Sequence, residues 1–387
     1  MKTAICGAGI ILPDRIVLNH ALVMEDGILL GITEQIPDDA KVIRLDGGYL
    51  SPGFVDLHVH GGGGADFMDG TPEAFCTAAR NSLLGGATTI YPTTVCSQDE
   101  VLLRTFEVFR AVQNMDGLPH MPGLHLEGPY FAAAQAGAQD PSALKIPTPE
   151  HYQLMLDNSD IIARVSAACE LEGALELGDA LAQRGILAAI GHSDAEYSEV
   201  LQAVRHGYRH VTHLYSGMSA LHRREAYRVL GVVESAYLLD ELTVEIIADG
   251  RHLPPELLKM IVKCKDNASI SLITDALRGS GLPEGSLIPL GGGDTRHAII
   301  ENGVAIMPDR SCFCGSVTTA SGCVRTMWKD AELPLEQAVA MMTGNPCRVM
   351  GLEKRKGSIA PGMDADLVHF DDDVNIRHVW LMGRQVV

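Results

Sequence analysis

Two histidines early in the chain are spaced as the ligands of a metal ion would be. His58 and His60 follow an apolar run over residues 53–57 and precede four consecutive glycines at 61–64. Side chains two residues apart on a β-strand point to the same face, so both imidazoles can reach one ion. The glycines allow the backbone to approach a ligand closely. The alternative, two polar residues on an exposed strand face, fits poorly with the apolar run before them.

Three further residues extend this pair to a ligand set that hydrolytic metals use. Glu127 in H-L-E-G-P and His192 in G-H-S each close an apolar run, and His213 in T-H-L is predicted to lie within a later strand-like run. One carboxylate and two neutral imidazoles suit zinc or ferrous iron and leave a position for water. Each residue alone has a simpler explanation: a helix cap for His192, a core histidine for His213 and an arginine's partner for Glu127. Their joint occurrence at the ends of such runs favours a metal.

Asp275 ends the last of these runs, in T-D-A, where a proton carrier would be useful. Aspartate is also a common helix N-cap, which is the alternative role. A bound metal lowers the pKa of water to about 7. A neighbouring carboxylate can take the proton of that water and pass it to a leaving amine. Together these residues predict a metal-dependent hydrolase that cleaves an amide bond.

A scaffold must bring these distant residues together, and the alternation of the sequence predicts one. Eight apolar strand-like runs occur at residues 54–60, 88–92, 121–126, 161–167, 186–190, 210–214, 242–248 and 269–274. Amphipathic stretches of helical length separate most of them, at 72–84, 99–112, 173–184, 195–206 and 254–263. This alternation predicts a parallel sheet in an α/β fold. Eight units favour a TIM-like (β/α)8 barrel, in which catalytic groups gather at the carboxyl ends of the strands. An open doubly wound sheet is the alternative, but no G-x-G-x-x-G follows the first strand.

Both ends of the chain are rich in short strands and turns and lack a long helical period. Chain termini often lie close together, so we expect residues 1–52 and 351–387 to form one small β-sandwich. Residues 53–350 would then form the hydrolase barrel.

The composition excludes several classes of protein. The chain has 387 residues and a net charge of −19, which disfavours binding to nucleic acid or anionic membranes. No stretch approaches the roughly 20 apolar residues of a membrane helix, and no secretory signal is visible. Nine scattered cysteines argue against a disulfide scaffold and for a reducing compartment, so we expect a cytoplasmic protein. Cys312 and Cys314 are interpreted as small buried residues beside a turn.

The motifs taken together resemble those of a known family. They are S-P-G-F-V-D-L-H-V-H-G from residue 51, H-L-E-G-P from 125, G-H-S from 191, H-L-Y from 213, A-D-G-R-H from 248, T-D-A from 274 and G-S-I-A-P-G-M-D-A-D-L from 357. They span nearly the whole chain, in the family's order. On these residues the chain resembles the amidohydrolase superfamily and, within it, the N-acetylglucosamine-6-phosphate deacetylases.

The resemblance implies a role for each site residue. Glu127, His192 and His213 would hold the main metal, and His58 and His60 a second ion that Glu127 bridges. Asp275 would be the acid/base and an additional metal ligand, and His252 would contact the substrate and assist catalysis. The divalent metal would be zinc, iron or manganese, with one or two ions per subunit. The family is commonly dimeric, so we expect a homodimer whose partner subunit can complete the site.

The implied substrate is an amino-sugar phosphate. Arg224, in the most basic patch of the chain, matches the arginine that grips phosphate, although a solvated helix face would explain the patch equally well. The resemblance also places Ala138, Gln139, Ser216, Gly217, Asp249, Phe313, Cys314 and Gly315 at the substrate. Gln139 and the Ser216-Gly217 pair depart from the family's usual residues. They leave open the galactosamine epimer, an unphosphorylated sugar or an N-acyl amino acid, and a non-catalytic interaction protein is a more distant alternative.

Overall fold

The computed structural model describes residues 2–293 and 295–387. Its central feature is a set of eight parallel strands, each at one of the predicted apolar runs. In chain order they are Phe54–Val59, Ala87–Pro92, Leu124–Glu127, Ile162–Ala167, Leu187–Ile190, Tyr208–Val211, Thr243–Ile247 and Ile270–Ile273. We refer to them as the first to eighth central strands. Nearly every residue in them is buried, as expected for strands covered on both faces.

The third to eighth central strands form one sheet in sequential order, and the first and second pair separately. Isolated bridges connect the two groups on both sides. Thr93 pairs with His125 between the second and third strands, and Val59 pairs with Ala276 between the first and eighth. The parallel sheet is therefore strongly curled. The predicted α/β class is confirmed.

Ten α-helices lie among the described residues, and most of the early ones alternate with the central strands. They are α1 Pro72–Leu84, α2 Asp99–Val112, α3 Pro149–Leu156, α4 Ala174–Gln183, α5 Tyr197–Arg205, α6 Val232–Leu238, α7 Pro255–Cys264, α8 Ala320–Arg325, α9 Leu335–Met341 and α10 Gly344–Val349. The bounds of α1 and α2 coincide with the predicted stretches. None of the helices in residues 2–293 and 295–387 is long and apolar enough to cross a membrane.

Helix α1 shows how local sequence sets these elements. Thr71 accepts a hydrogen bond from the backbone N–H of Ala74, and Pro72 occupies the first turn, where no donor is needed. Phe75, Ala79 and Leu83 recur on one face and are buried. Burying a Phe or Leu side chain contributes roughly 1.5–3 kcal/mol, so packing stabilises the helix more than its cap does.

Strands from both ends of the chain share one mixed sheet, which contains both antiparallel and parallel pairs. Tyr49–Pro52 pairs with Leu367–Phe370 on one side and with Gly9–Ile11 on the other. Ile16–Val17, Ile376–Leu381 and Arg384–Gln385 complete this six-stranded sheet. A second sheet contains Lys2–Cys6, Ala21–Glu25, Ile28–Thr33 and Lys41–Arg44. The two termini therefore come together in this sheet.

The sequence interpretation did not include a four-stranded antiparallel sheet that follows the eighth central strand. Its strands are Leu287–Pro289, His297–Glu301, Val304–Ile306 and Phe313–Ser316. Two short hairpins also occur, Gly61–Gly62 with Ala65–Asp66 and His222–Arg224 with Tyr227–Val229. The second hairpin corrects the interpretation of the basic patch, which lies on exposed strands and not on a helix face.

Candidate metal centre and substrate pocket

The predicted metal residues all lie at the carboxyl ends of the central strands. His58 is in the first strand and His60 just beyond it, because that strand ends at Val59. Glu127 is the last residue of the third strand. The remaining three predicted residues, which are His192, His213 and Asp275, each stand two positions after the last residue of a strand. The prediction that His213 lies within its strand is wrong, because the sixth strand ends at Val211.

The backbone at these last three residues is left-handed. The φ angle is 47° at His192, 25° at His213 and 48° at Asp275. Residues other than glycine rarely adopt positive φ, and such strain concentrates at functional sites. It turns the chain directly after each strand, and the three side chains converge on the mouth of the curled sheet.

Glu127 meets two histidines through a single oxygen. Its Oε1 is 2.9 Å from Nε2 of His213 and 3.2 Å from Nε2 of His192. All three side chains are buried. Their ligand atoms lie within 4.8 Å of one another, so they can hold a metal ion.

The hydrogen bonds of His192 indicate that this group fits a cation. Nδ1 of His192 is 2.8 Å from the carbonyl oxygen of Gln135, which can only accept, so Nδ1 carries the hydrogen. In the neutral ring Nε2 then carries a lone pair, which faces the carboxylate of Glu127. Two acceptors at 3.2 Å repel each other unless a cation lies between them. The donor set of two imidazoles and a carboxylate is one that divalent metals accept.

A second group uses the other side of Glu127. Nε2 of His60 is 3.4 Å from Glu127 Oε2 and 3.1 Å from Oδ1 of Asp275. Nε2 of His58 is 3.1 Å from Nε2 of His60 and 3.5 Å from Oδ1 of Asp275. His58, His60 and Glu127 also satisfy the distance requirement for a shared ion. The structure thus brings together all six residues predicted to bind metal.

The carboxylates give this centre a strongly negative field. Burial opposes a charge on the His58 ring, but Glu127 and Asp275 outweigh it and raise the pKa of His58 to about 10 when protons are the only cations present. Burial likewise opposes ionisation of Glu127, yet the surrounding histidines hold the pKa of that carboxyl well below its usual range. The centre therefore attracts positive charge.

A pocket opens above the centre, and the predicted substrate residues line it with two exceptions. The lining includes Ala138, Gln139, Ser216, Gly217, His252, Phe313, Cys314 and Gly315, together with His60, Glu127, His192, His213 and Asp275. Asp249 does not line the pocket. Its Oδ2 is 2.7 Å from Nδ1 of His252, so it orients that ring from behind. The ring of Phe313 packs against His252, with the centroids 4.9 Å apart.

Gln139 is held against the metal centre. Its side-chain amide donates to Glu127 Oε2 over 2.8 Å and accepts from the backbone N–H of Cys96, also over 2.8 Å. Both the NH2 group and the oxygen of this amide are therefore hydrogen-bonded. This departure from the family pattern supports a metal ligand as well as forming part of the pocket wall.

Arg224 is the other exception, and it lies away from the pocket. It sits on the exposed hairpin, where its side chain is 59% exposed and pairs with Glu196. It is absent from the lining of its own chain's pocket. The sequence could not reveal this, because a phosphate-binding arginine and a surface arginine have the same local pattern.

Several site residues were missed or misread in the sequence. Cys312 is half-buried and lines the pocket beside Cys314, so the interpretation of this pair as small buried residues holds for neither, and only Cys314 was placed at the substrate. Asp66, in the short hairpin that the glycines begin, lines it too. Beneath the centre Arg164 and Glu245 are fully buried and paired at 2.6 Å. A lone charge inside an apolar strand run was the available signal for these two.

Known proteins resemble this chain over almost its entire length. The amidohydrolase family profile matches residues 49–386. A Vibrio furnissii protein named N-acetylglucosamine-6-phosphate deacetylase is 32% identical over 350 residues, which cover 90% of this chain and 85% of that protein. An N-acetylgalactosamine-6-phosphate deacetylase of Escherichia coli O157:H7 is 29% identical over 368 residues, covering 95% and 94%.

A solved structure agrees with these relatives. The crystal structure of N-acetylglucosamine-6-phosphate deacetylase from Pasteurella multocida superposes with a TM-score of 0.92 at 25% identity, covering 100% of this chain and 99% of that one. With the site geometry, these similarities confirm the resemblance inferred from the motifs. The chain belongs to the amidohydrolase family and, within it, to the N-acetylglucosamine-6-phosphate deacetylases.

Proposed function

We propose that this chain hydrolyses the N-acetyl group of N-acetylglucosamine 6-phosphate to yield glucosamine 6-phosphate and acetate. The observation that carries the proposal is the convergence of four histidines on Glu127, with Asp275 beside them, at the base of a pocket. Relatives with this name match most of the chain, which supports the choice of substrate.

The proposed metal ligands would determine where in the pocket the amide bond is cleaved. Glu127, His192 and His213 would hold the main ion, and His58, His60 and Asp275 would join Glu127 around a second. A divalent ion bound there, such as zinc, iron or manganese, supplies Lewis acidity and makes water nucleophilic near neutral pH.

The proton transfers fall to Asp275. Its Oδ1 is 3.1 Å from Nε2 of His60 and its side chain lines the pocket, a position from which it would reach both the nucleophile and the leaving nitrogen. It would take the proton of the attacking water and return it to the departing amine. The Nε2 atom of His252 remains for the substrate, because its Nδ1 is bound to Asp249. A charged ring would donate to the oxyanion, and a neutral ring would accept from a sugar hydroxyl.

The finer architecture belongs to the same proposal. We infer that the eight central strands close into a TIM-like (β/α)8 barrel over residues 53–350, supported by the bridges at both edges of the curled sheet. Residues 1–52 and 351–387 would form the small β-sandwich, supported by the sheet that both termini share. Nine free cysteines support a reducing, cytoplasmic location.

Acetate release by the purified protein tests the proposed function. We expect release from N-acetylglucosamine 6-phosphate that a chelator abolishes and that added zinc, iron or manganese restores. The reason is that the buried centre places acceptor atoms face to face and needs a cation to act. Release that persists after complete removal of metal would contradict the metal-dependent mechanism.

The galactosamine epimer is the second candidate substrate. The Escherichia coli relative bears the name of that activity, and Gln139 and Ser216-Gly217 line the pocket where the family usually has other residues. Acetate release from the two sugar phosphates, an unphosphorylated sugar and an N-acyl amino acid should be compared as kcat/KM. A higher value for N-acetylgalactosamine 6-phosphate would transfer the proposal to that sugar.

Arg224→Ala is expected to weaken use of the phosphorylated substrate selectively. A hydrogen bond to a charged group contributes about 1.5–3 kcal/mol, which corresponds to roughly 10- to 100-fold in KM. The KM for unphosphorylated N-acetylglucosamine should stay unchanged. Arg228→Ala, on the same exposed hairpin, is the matched control. Equal losses for both sugars would remove the phosphate role.

Because Arg224 lies outside its own pocket, it would act in the pocket of a partner subunit of a homodimer. Co-expression of the Arg224→Ala and Asp275→Asn chains distinguishes this arrangement. Each mixed dimer would contain one site with an intact Asp275 and the arginine of the other chain, so activity at low substrate should return. Mixed dimers that are no more active than the Arg224→Ala protein alone would place Arg224 at the site of its own chain.

A further inference from the structure

A buried carboxylate lies directly beneath the metal centre without lining the pocket. Glu245 is in the middle of the seventh central strand and is fully buried. Arg164, on the fourth strand, is also fully buried and donates to Glu245 Oε2 over 2.6 Å. The same oxygen is 3.1 Å from Nε2 of His210.

The other oxygen of Glu245 faces the proposed metal ligands. Oε1 is 3.0 Å from Nδ1 of His58 and accepts the backbone N–H of His213 over 3.3 Å. His58 belongs to one metal group and His213 to the other. One buried oxygen thus contacts a ligand from each group, although Glu245 contributes no ligand itself.

The hydrogen-bonding capacity of a carboxylate decides the state of the His58 ring. An ionised carboxylate only accepts, so Nδ1 of His58 must carry the hydrogen. In the neutral ring, which is the form that binds a metal, Nε2 then carries a lone pair, and it is Nε2 that lies 3.1 Å from His60 Nε2 and 3.5 Å from Glu127 Oε1. The opposite tautomer would present an N–H to the ion and could not bind it.

We propose that Glu245 is a positioning residue that fixes His58 in the tautomer able to bind a metal ion. This deepens the proposed function, because it concerns the ion that His58 and His60 would hold. Outer partners of ligating histidines commonly act in this way, and their loss typically lowers metal affinity about 10- to 100-fold.

Glu245→Gln separates this role from simple support of the core. Arg164 is a charged donor at 2.6 Å, whereas the backbone N–H of His213 lies 3.3 Å from the opposite oxygen, so we expect the amide oxygen of the new side chain to face Arg164. The NH2 group then faces Nδ1 of His58, which must become an acceptor. The hydrogen moves to Nε2, and the ring can no longer bind the ion, although the shape of the side chain is nearly unchanged.

The double variant Arg164→Met/Glu245→Gln provides a matched rescue. Without Arg164 the amide is free to turn, so that its oxygen accepts from His58 and its NH2 donates to Nε2 of His210. His210 can then donate from Nδ1 to Thr243 Oγ1, which lies 2.6 Å away. We expect the original tautomer of His58 to return in this variant.

Two readouts test the proposal in the full-length protein. The first is the ¹⁵N NMR spectrum of the metal-free, histidine-labelled protein, recorded above the His58 pKa of about 10 so that the ring is neutral, in which a His58→Asn variant identifies the His58 signals. The second is Zn²⁺ affinity and content, measured by chelator competition. Glu245→Gln should show Nε2–H at His58 and bind Zn²⁺ at that position about 10- to 100-fold more weakly. The double variant should reverse both changes.

An unchanged tautomer and unchanged zinc binding in Glu245→Gln would overturn the proposal. If that variant fails to fold, Arg164→Met/Glu245→Leu decides instead, because apolar replacement of a buried ion pair is often tolerated. A His58 ring that keeps a single Nδ1–H tautomer there would equally overturn it. The tautomer is measured without metal or substrate, so failure of the deacetylase assignment would leave this test intact.

Discussion

Asp275→Asn is expected to lower kcat for acetate release by about 100- to 10,000-fold, the range typical of a general acid/base. The substitution keeps the size of the side chain but removes its capacity to take and return a proton. Oδ1 of Asp275 is 3.1 Å from Nε2 of His60, and we expect the isosteric asparagine to keep its oxygen near that position. Steady-state acetate release measures the effect.

The metal content of Asp275→Asn shows whether the loss is chemical. Glu127, His192 and His213 remain in place, so at least one ion should stay bound. Asp140→Asn is the matched control, because Asp140 lines the same pocket without contacting the proposed ligands. Normal turnover by Asp275→Asn would remove this residue from the mechanism.

Glu127→Gln is expected to abolish both metal binding and turnover. Glu127 is shared by the two ligand groups, and its oxygens face the Nε2 atoms of His192 and His213 on one side and His60 on the other. The amide lacks the charge that the ion needs, and one of its two atoms is a donor that faces the metal position. Metal content after dialysis and acetate release should fall together to background.

A substitution at a carboxylate outside the metal centre serves as the control for Glu127→Gln. Asp249 supports His252 and lies near the pocket without contacting a proposed metal ligand. Asp249→Asn should therefore impair turnover while leaving metal content intact. A Glu127→Gln protein that keeps its full complement of metal would contradict the shared-ligand arrangement.

The sequence by itself predicted the elements and the types of residue that do chemistry. Each central strand lies at a continuous apolar run, and α1 begins and ends where its cap and its apolar face predict. His58, His60, Glu127, His192, His213 and Asp275 stand at the ends of such runs. These features are local, because burial, helical periodicity and capping act over a few neighbouring residues.

The strand ends were less well predicted than the strands themselves. His213 and Asp275 lie beyond their strands in left-handed turns, which are costly for residues other than glycine. Local preference argues against such a conformation. The surrounding fold imposes it, and it is this conformation that turns both side chains into the centre.

Only the tertiary structure decided which of these residues meet. Glu245 contacts His58 across 187 positions of the chain, and Arg164 contacts Glu245 across 81. Gln139 reaches Glu127, whereas Arg224 remains on an exposed hairpin beside Glu196. Such contacts depend on which strands are neighbours and in what register, and no short stretch of sequence encodes either. Residue types and strand positions can therefore be predicted from the sequence. The contact of Glu127 with both ligand groups, the orientation of His58 and the position of Arg224 depend on how the sheet curls.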